Sequence, residues 1–192
     1  MEKNKVTGSL KLLIIGGSAG SLSVLLKILP FLRIDLNFAI IVVLHRKNSN
    51  DTLLSDLFAT KTSLKVKEIE DKEPLKQGTI YIAPADYHIL FETNGTVSLD
   101  YSEKVNYSRP SIDVAFETAA AIYKDNLSCL LLSGASSDGT KGLLEVKRHR
   151  GKILIQHPDT AETSYMPQQA INALPQETII RPDEMVRYIN SI

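Results

Sequence analysis

The chain of 192 residues is long enough for one domain with a buried core but short for two. Its 22 basic and 22 acidic side chains give a formal net charge of zero, which argues against a generic nucleic-acid binder. The single cysteine, Cys129, excludes an intrachain disulfide and a thiolate metal cluster. We therefore expect one domain over residues 1–192, with its core at about residues 10–181.

The start of the chain shows no pattern typical of a targeting or membrane segment. Residues 1–9 are mostly polar, and the first apolar run, residues 12–15, is too short for a signal-peptide core or a bilayer span. We expect a cytoplasmic protein without direct membrane insertion.

In the first half of the chain, continuous apolar runs alternate with stretches of helical spacing. The apolar runs predict strands buried on both faces, and leucines at helical spacing predict the first helix. The predicted strands cover residues 12–15, 38–44 and, more weakly, 64–69. The predicted helices cover about 22–29 and a stretch that is capped by Asn50 or Asp51 and ends near Ala59.

The middle of the chain consists of short strand-like runs, at residues 79–83, 87–92 and 96–100. Asn94-Gly95 separates the last two, and Asn-Gly between strand-like runs is a strong hairpin signal. We interpret this part as a small antiparallel hairpin at one edge of the sheet.

Alternation resumes in the second half. Pro110 suits the first turn of a helix whose positive end favours Asp113. Strands are predicted at residues 127–132, 152–156 and 177–180, and helices at about 110–122, 140–149 and 181–192. Strands alternating with helices predict an α/β fold, a mostly parallel central sheet with helices on both faces. Ligands then bind at the carboxyl ends of the strands.

Three predicted strands end in residues that together suit hydrolytic chemistry. Ser18 follows the first strand, His45 follows the second, and Asp138 follows the strand ending at Leu132. A serine hydroxyl needs a base to take its proton as it attacks, and histidine changes charge near neutrality. A carboxylate fixes the ring tautomer and stabilises the imidazolium. Backbone N–H groups after the nearby glycines could stabilise an oxyanion.

Each of the three residues also has an ordinary structural interpretation. Ser18 could cap a helix, His45 could lie in a loop, and Asp138 could form an Asp-Gly turn. A nucleotide site is the other functional alternative. Residues 16–21 lack the three-glycine dinucleotide pattern, however, and no P-loop lysine follows. Position alone therefore leaves both the structural and the hydrolytic interpretations open.

Several ordered blocks show that the chain resembles the catalytic domain of the chemotaxis protein-glutamate methylesterases, the CheB family. The blocks are residues 15–20, 43–45, 81–84, 109–113, 134–142 and 165–167. The resemblance implies a Rossmann-like sheet and a triad of Ser18, His45 and Asp138. It implies removal of methyl groups from glutamates on chemoreceptor helices, possible deamidation of receptor glutamines, and no metal or organic cofactor.

The chain departs from the family pattern at Ala19, where a small hydroxyl residue is usual, and at Ala135, where methionine is common. Family proteins commonly carry an N-terminal receiver domain, for which we expect no room here, so a separate regulator could replace it. Two alternatives follow: a related serine hydrolase with a different ester or amide substrate, and a non-catalytic signalling module. An intact triad argues against the second.

Further candidates for substrate or oxyanion contacts surround the triad. Gly17, Ala19 and Ala135 adjoin the predicted strand ends. Arg109 could pair with a carboxylate or tie a helix cap. Met166, next to Pro167, could lie in a substrate-facing loop or pack in the core. The remaining histidines, His88, His149 and His157, are not clustered and predict no metal site.

Overall fold

The computed structural model describes residues 10–46 and 53–192. The strands are β1 (Lys11–Gly17), β2 (Phe38–Leu44), β3 (Lys65–Glu68), β4 (Glu73–Pro74), β5 (Thr79–Ile82), β6 (His88–Phe91), β7 (Thr96–Asp100), β8 (Leu127–Leu131), β9 (Lys152–Gln156) and β10 (Thr178–Ile180). The α-helices are α1 (Ser21–Ile28), α2 (Leu53–Ala59), α3 (Ile112–Tyr123), α4 (Thr140–Arg148), α5 (Tyr165–Ala173) and α6 (Pro182–Ile189).

A seven-stranded sheet in the order β10-β9-β8-β1-β2-β5-β3 forms the centre of the domain, and every neighbouring pair in it is parallel. The predicted parallel α/β architecture is therefore confirmed. Alternate residues of β1 enter different cores: Leu12 and Ile14 pack with α3 and α4, whereas Leu13 and Ile15 pack with α1 and α6. Helices thus cover both faces, as a sheet of doubly buried strands requires.

The predicted hairpin is formed by β6 and β7, which pair antiparallel around Asn94 and Gly95. Gly95 adopts a positive φ of 83°, and the Asn94 side chain accepts the Thr96 N–H. A short β4 adds a third strand. The prediction was wrong for residues 79–83: β5 lies inside the parallel sheet between β2 and β3 and is buried along its length.

Helix boundaries differ from the predictions at three places. The first turn of α3 does not contain Pro110, because extended Ser111 is the N-cap and its hydroxyl accepts the Val114 N–H. Asp113 does lie in that first turn. The predicted loop at Met166-Pro167 is the first turn of α5, where a proline is tolerated because that turn's N–H groups lack helical partners.

The closing helix is shorter than expected, since α6 ends at Ile189. The predicted caps Asn50 and Asp51 lie outside the described residues. Among the residues that are described, no helix combines the length and apolarity needed to cross a bilayer.

Candidate active site

Sheet order brings the three predicted strand ends together, because β1 lies between β2 and β8. Backbone hydrogen bonds join the segments beyond the strands. The Ser18 N–H donates to the Ser133 carbonyl at 2.8 Å, and the His45 N–H donates to the Gly17 carbonyl at 3.2 Å. A Cβ atom at Gly17 would lie only 2.1 Å from the Ser21 hydroxyl oxygen, so this close approach requires glycine.

Asp138 is completely buried and accepts hydrogen bonds on both carboxylate oxygens. The donors are the His45 ring, the Asn106 amide, the Ser111 hydroxyl and the backbone N–H groups of Ile112 and Asp113, at 2.7 to 3.1 Å. Burial alone would raise the pKa of Asp138, but these donors outweigh it and lower the pKa to about 2. The side chain is therefore ionised at neutral pH.

Asp138 also lies at the N-terminus of α3, because two of its donors are the first N–H groups of that helix. Such groups lack partners within the helix, and the helix dipole favours an anion there. The loop after β8 thus supplies α3 with a carboxylate from a distant part of the sequence.

The His45 ring is held at 2.7 Å from Asp138 through Nε2. A carboxylate only accepts, so Nε2 carries the proton and Nδ1 is the ring nitrogen that can accept one. Ser18 and His45 line the same cavity. Within the described residues, the Ser18 hydroxyl makes no hydrogen bond to the His45 ring.

A second buried carboxylate, Asp113, lies beside Asp138. The Asn106 amide nitrogen bridges them, donating to Asp113 at 2.8 Å and to Asp138 at 2.9 Å, while Asp113 also accepts the Gly142 N–H at 2.7 Å. Burial, together with repulsion by Asp138, raises the pKa of Asp113 to about 6. Two neighbouring carboxylates therefore have widely separated pKa values.

Asn106 belongs to a tight turn that sequence reasoning did not single out. Val105 and Ser108 exchange backbone hydrogen bonds, and the two central residues, Asn106 and Tyr107, have positive φ angles of 50° and 62°. Positive φ is uncommon for tyrosine, and Tyr107 is 97% exposed. The turn therefore directs Asn106 to the buried carboxylates while Tyr107 stays in solvent.

His88 supports the same region as a structural residue. Its Nδ1 accepts the Ser111 N–H at 3.1 Å, and its Nε2 donates to the Glu103 carbonyl at 3.0 Å. It is 1% exposed. His88 thus fixes the cap residue of α3, which in turn contacts Asp138.

The two departures from the family pattern, Ala19 and Ala135, are both exposed at the site. Among the described residues, neither backbone N–H has a hydrogen-bond partner, whereas the N–H groups of Ser18 and Gly134 are already bonded. The N–H groups of Ala19 and Ala135 are therefore among the free backbone donors at this edge of the sheet.

Met166 is fully buried, which contradicts the substrate-facing loop. A Cβ atom at Gly134 would lie 2.7 Å from the Met166 sulfur and 3.1 Å from the Ser18 Cβ. Met166 thus packs against Gly134, in the loop that carries Ala135, and close to Ser18.

Two cavities meet at His45. One, of about 340 Å³, is called the basic cavity here, and its lining includes His45, Arg46, Asp86, Lys104, Tyr107 and Arg109. The other, of about 330 Å³, is called the leucine groove; it is lined by Ser18, His45, Arg46 and five leucines, Leu22, Leu44, Leu53, Leu54 and Leu57. Within residues 10–46 and 53–192, no cluster of three acidic, histidine or cysteine side chains suits a metal.

Comparison with known proteins identifies the family. The family model described as CheB methylesterase matches residues 13–189. The chain belongs to the CheB methylesterase family. The crystal structure of the Thermotoga maritima CheB methylesterase catalytic domain superposes with a TM-score of 0.90 at 32% identity, covering 95% of this chain and 98% of that one.

Two relatives agree with that membership. A Leptospira interrogans protein is 42% identical over 84% of this chain and 83% of its own length, and it is provisionally named a protein-glutamate methylesterase/protein-glutamine glutaminase. A Thermotoga maritima protein of that name is 37% identical over 89% of this chain. The chain spans half the length of the Thermotoga protein.

Proposed function

We propose that this protein hydrolyses glutamate methyl esters on chemoreceptor helices to glutamate and methanol. The observation that carries the proposal is the 2.7 Å contact between His45 and an ionised, buried Asp138, with Ser18 on the adjacent strand end in the same cavity. The family membership and the names of the relatives support this substrate. A cytoplasmic location and control by a separate regulator belong to the same proposal.

In the proposed reaction, His45 Nδ1 takes the proton of the Ser18 hydroxyl as the oxygen attacks the ester carbonyl carbon. We propose that the free N–H groups of Ala19 and Ala135 stabilise the resulting oxyanion, since both are backbone groups that the side-chain departures leave in place. Asp138 holds the ring and stabilises the imidazolium.

The protonated ring then gives its proton to the departing methoxide, which leaves as methanol, and an acyl group remains on Ser18. Water attacks that acyl group with His45 as the base, and glutamate is released. The same steps on a glutamine side chain would release ammonia. Deamidation is therefore a second proposed activity, supported by the glutaminase names of the relatives.

The test is methanol release from a methylated chemoreceptor. Because Ser18 supplies the attacking oxygen, Ser18→Ala should lower the rate by about 10³-fold or more. Ser23→Ala is the matched control: among the residues that the structure describes, its exposed hydroxyl bonds only the Gly20 carbonyl, so the variant should keep wild-type activity. Equal methanol release by Ser18→Ala and wild type would contradict the assignment.

A related hydrolase with another ester or amide substrate is the second candidate. Exposed Ala19 and Ala135, where the family usually has larger side chains, favour it. A serine-directed probe that labels Ser18, without turnover of any methylated receptor, would support this alternative. A non-catalytic module is disfavoured by the His45–Asp138 contact.

A further inference from the structure

The basic cavity carries an excess of positive charge. Arg46, Lys104 and Arg109 line it against one carboxylate, Asp86. Arg46 is neutralised by Glu68 at 2.7 Å. In the part of the chain that the structure describes, Lys104 and Arg109 form no ion pair. Two cationic side chains beside the reaction centre are therefore left without a carboxylate partner.

Arg109 is held in a fixed position. Its Nη1 donates to the Tyr101 and Ser102 carbonyls, and its guanidinium lies over the Tyr101 ring at 3.8 Å from the centroid. Its Nη2 makes no hydrogen bond within residues 10–46 and 53–192. A guanidinium fixed at one end and free at the other binds a carboxylate with little loss of side-chain entropy.

A methyl ester is neutral, so it would form no ion pair with the cationic side chains of the basic cavity. The leucine groove on the Ser18 side offers the apolar surface that suits a methyl group and the apolar face of a helix. His45 lines both cavities, so a substrate that places its ester there also reaches the basic cavity.

We propose that the basic cavity binds the carboxylate of an acidic side chain that flanks the scissile ester on the substrate helix. This inference rests on the proposed function. Side chains three or four positions apart on a helix lie about 5–6 Å from each other. We therefore expect the scissile ester and the flanking carboxylate to be one helical turn apart. Lys104 and Arg109 act as substrate-binding residues and take no part in the bond changes.

The experiment uses helical peptides that carry one glutamate methyl ester, with glutamate, glutamine or lysine at the positions three before and four after it. Methanol release is measured at low salt. An ion pair at a partly exposed site is worth up to about fivefold in kcat/KM, so the glutamate peptide should exceed the glutamine peptide by about that factor and the lysine peptide should be slowest. Added salt should reduce the preference.

Variants assign the preference to the cavity. Lys104→Ala and Arg109→Gln should each lower the ratio of kcat/KM for the glutamate peptide to that for the glutamine peptide toward one. Lys152→Ala is the control. This exposed lysine is the first residue of β9, so it lies at the opposite end of the parallel strands from the site, and the variant should retain the preference.

Four results would decide against the inference. If Ser18 hydrolyses all three peptides at the same rate, the basic cavity does not bind a flanking carboxylate, and the methylesterase proposal is unaffected. If both variants keep the preference for the glutamate peptide, residues other than Lys104 and Arg109 recognise the flanking carboxylate. If the demethylated product peptide inhibits through Lys104 and Arg109 while flanking charge has no effect, the cavity binds the product carboxylate instead. Absence of Ser18-dependent methanol release from every peptide and from methylated receptor overturns the proposed function as well.

Discussion

Replacement of Ser111 by alanine tests how the α3 terminus supports the site. The Ser111 hydroxyl is fully buried, donates to Asp138 at 2.9 Å and accepts the Val114 N–H at 3.4 Å. Alanine removes both interactions and leaves His88, which bonds the backbone of residue 111, in place.

The magnitude follows from these two contacts. A hydrogen bond to a charged acceptor contributes about 1.5–3 kcal/mol, and a helix cap about 1 kcal/mol, taken as about 0.5 kcal/mol here because the capping contact is long. We expect Ser111→Ala to lower the free energy of unfolding by about 2–3.5 kcal/mol. For a chain of this size that corresponds to a Tm about 5–12 °C lower.

Urea unfolding at neutral pH measures this change, with Ser23→Ala as the exposed control expected to shift the free energy by less than about 0.5 kcal/mol. Activity supplies a second measurement. Asp138 keeps four of its five donors in the variant, so kcat should fall by less than about tenfold. A stability loss below about 0.5 kcal/mol would refute the reasoning that this hydroxyl supports the buried carboxylate.

Two further predictions concern other buried groups. The pKa of Asp113 is raised from 3.8 to about 6, so the native state binds this proton more tightly than the unfolded state and stability falls as pH rises from about 4 to 6, by roughly 3 kcal/mol. Asp138 is ionised in both states over most of that range, so Asp113→Asn should flatten the pH dependence of urea unfolding, and an unchanged slope would contradict the pKa. Burial raises the pKa of the Cys129 thiol, so a thiol reagent at mildly alkaline pH should label it only after unfolding; rapid labelling of the native protein would show that β8 opens.

The sequence predicted the strand-end residues well because their placement depends on local patterns. Apolar runs fix β1, β2 and β8, and the parallel order of such strands brings Ser18, His45 and Asp138 to one edge of the sheet. The family resemblance then selected hydrolysis among the open interpretations. These steps need no knowledge of side-chain direction.

Side-chain contacts between distant segments could not be predicted in the same way. Asn106 bridges carboxylates 7 and 32 positions away, and the turn that holds it contains neither glycine nor proline. Only its asparagine, which tolerates positive φ, was a signal. The run that forms β5 is short, which favours its assignment to the hairpin region. In the structure, however, it is buried on both faces, as a strand inside the parallel sheet must be.

The arrangement of hydrogen-bond donors explains why Asp138, the carboxylate that faces His45, has a lower pKa than Asp113. Two adjacent buried carboxylates repel each other, and the one with more donors stays ionised more easily. Asp138 has five donors, including two N–H groups at the positive end of α3, whereas Asp113 has the Asn106 amide and the Gly142 N–H among its donors. The helix terminus therefore keeps the negative charge at the oxygen that holds the His45 ring. The contacts that stabilise α3 are thus the same contacts that keep Asp138 ionised. Because four of the five donors of Asp138 remain in Ser111→Ala, the substitution should weaken the fold more than the proposed chemistry.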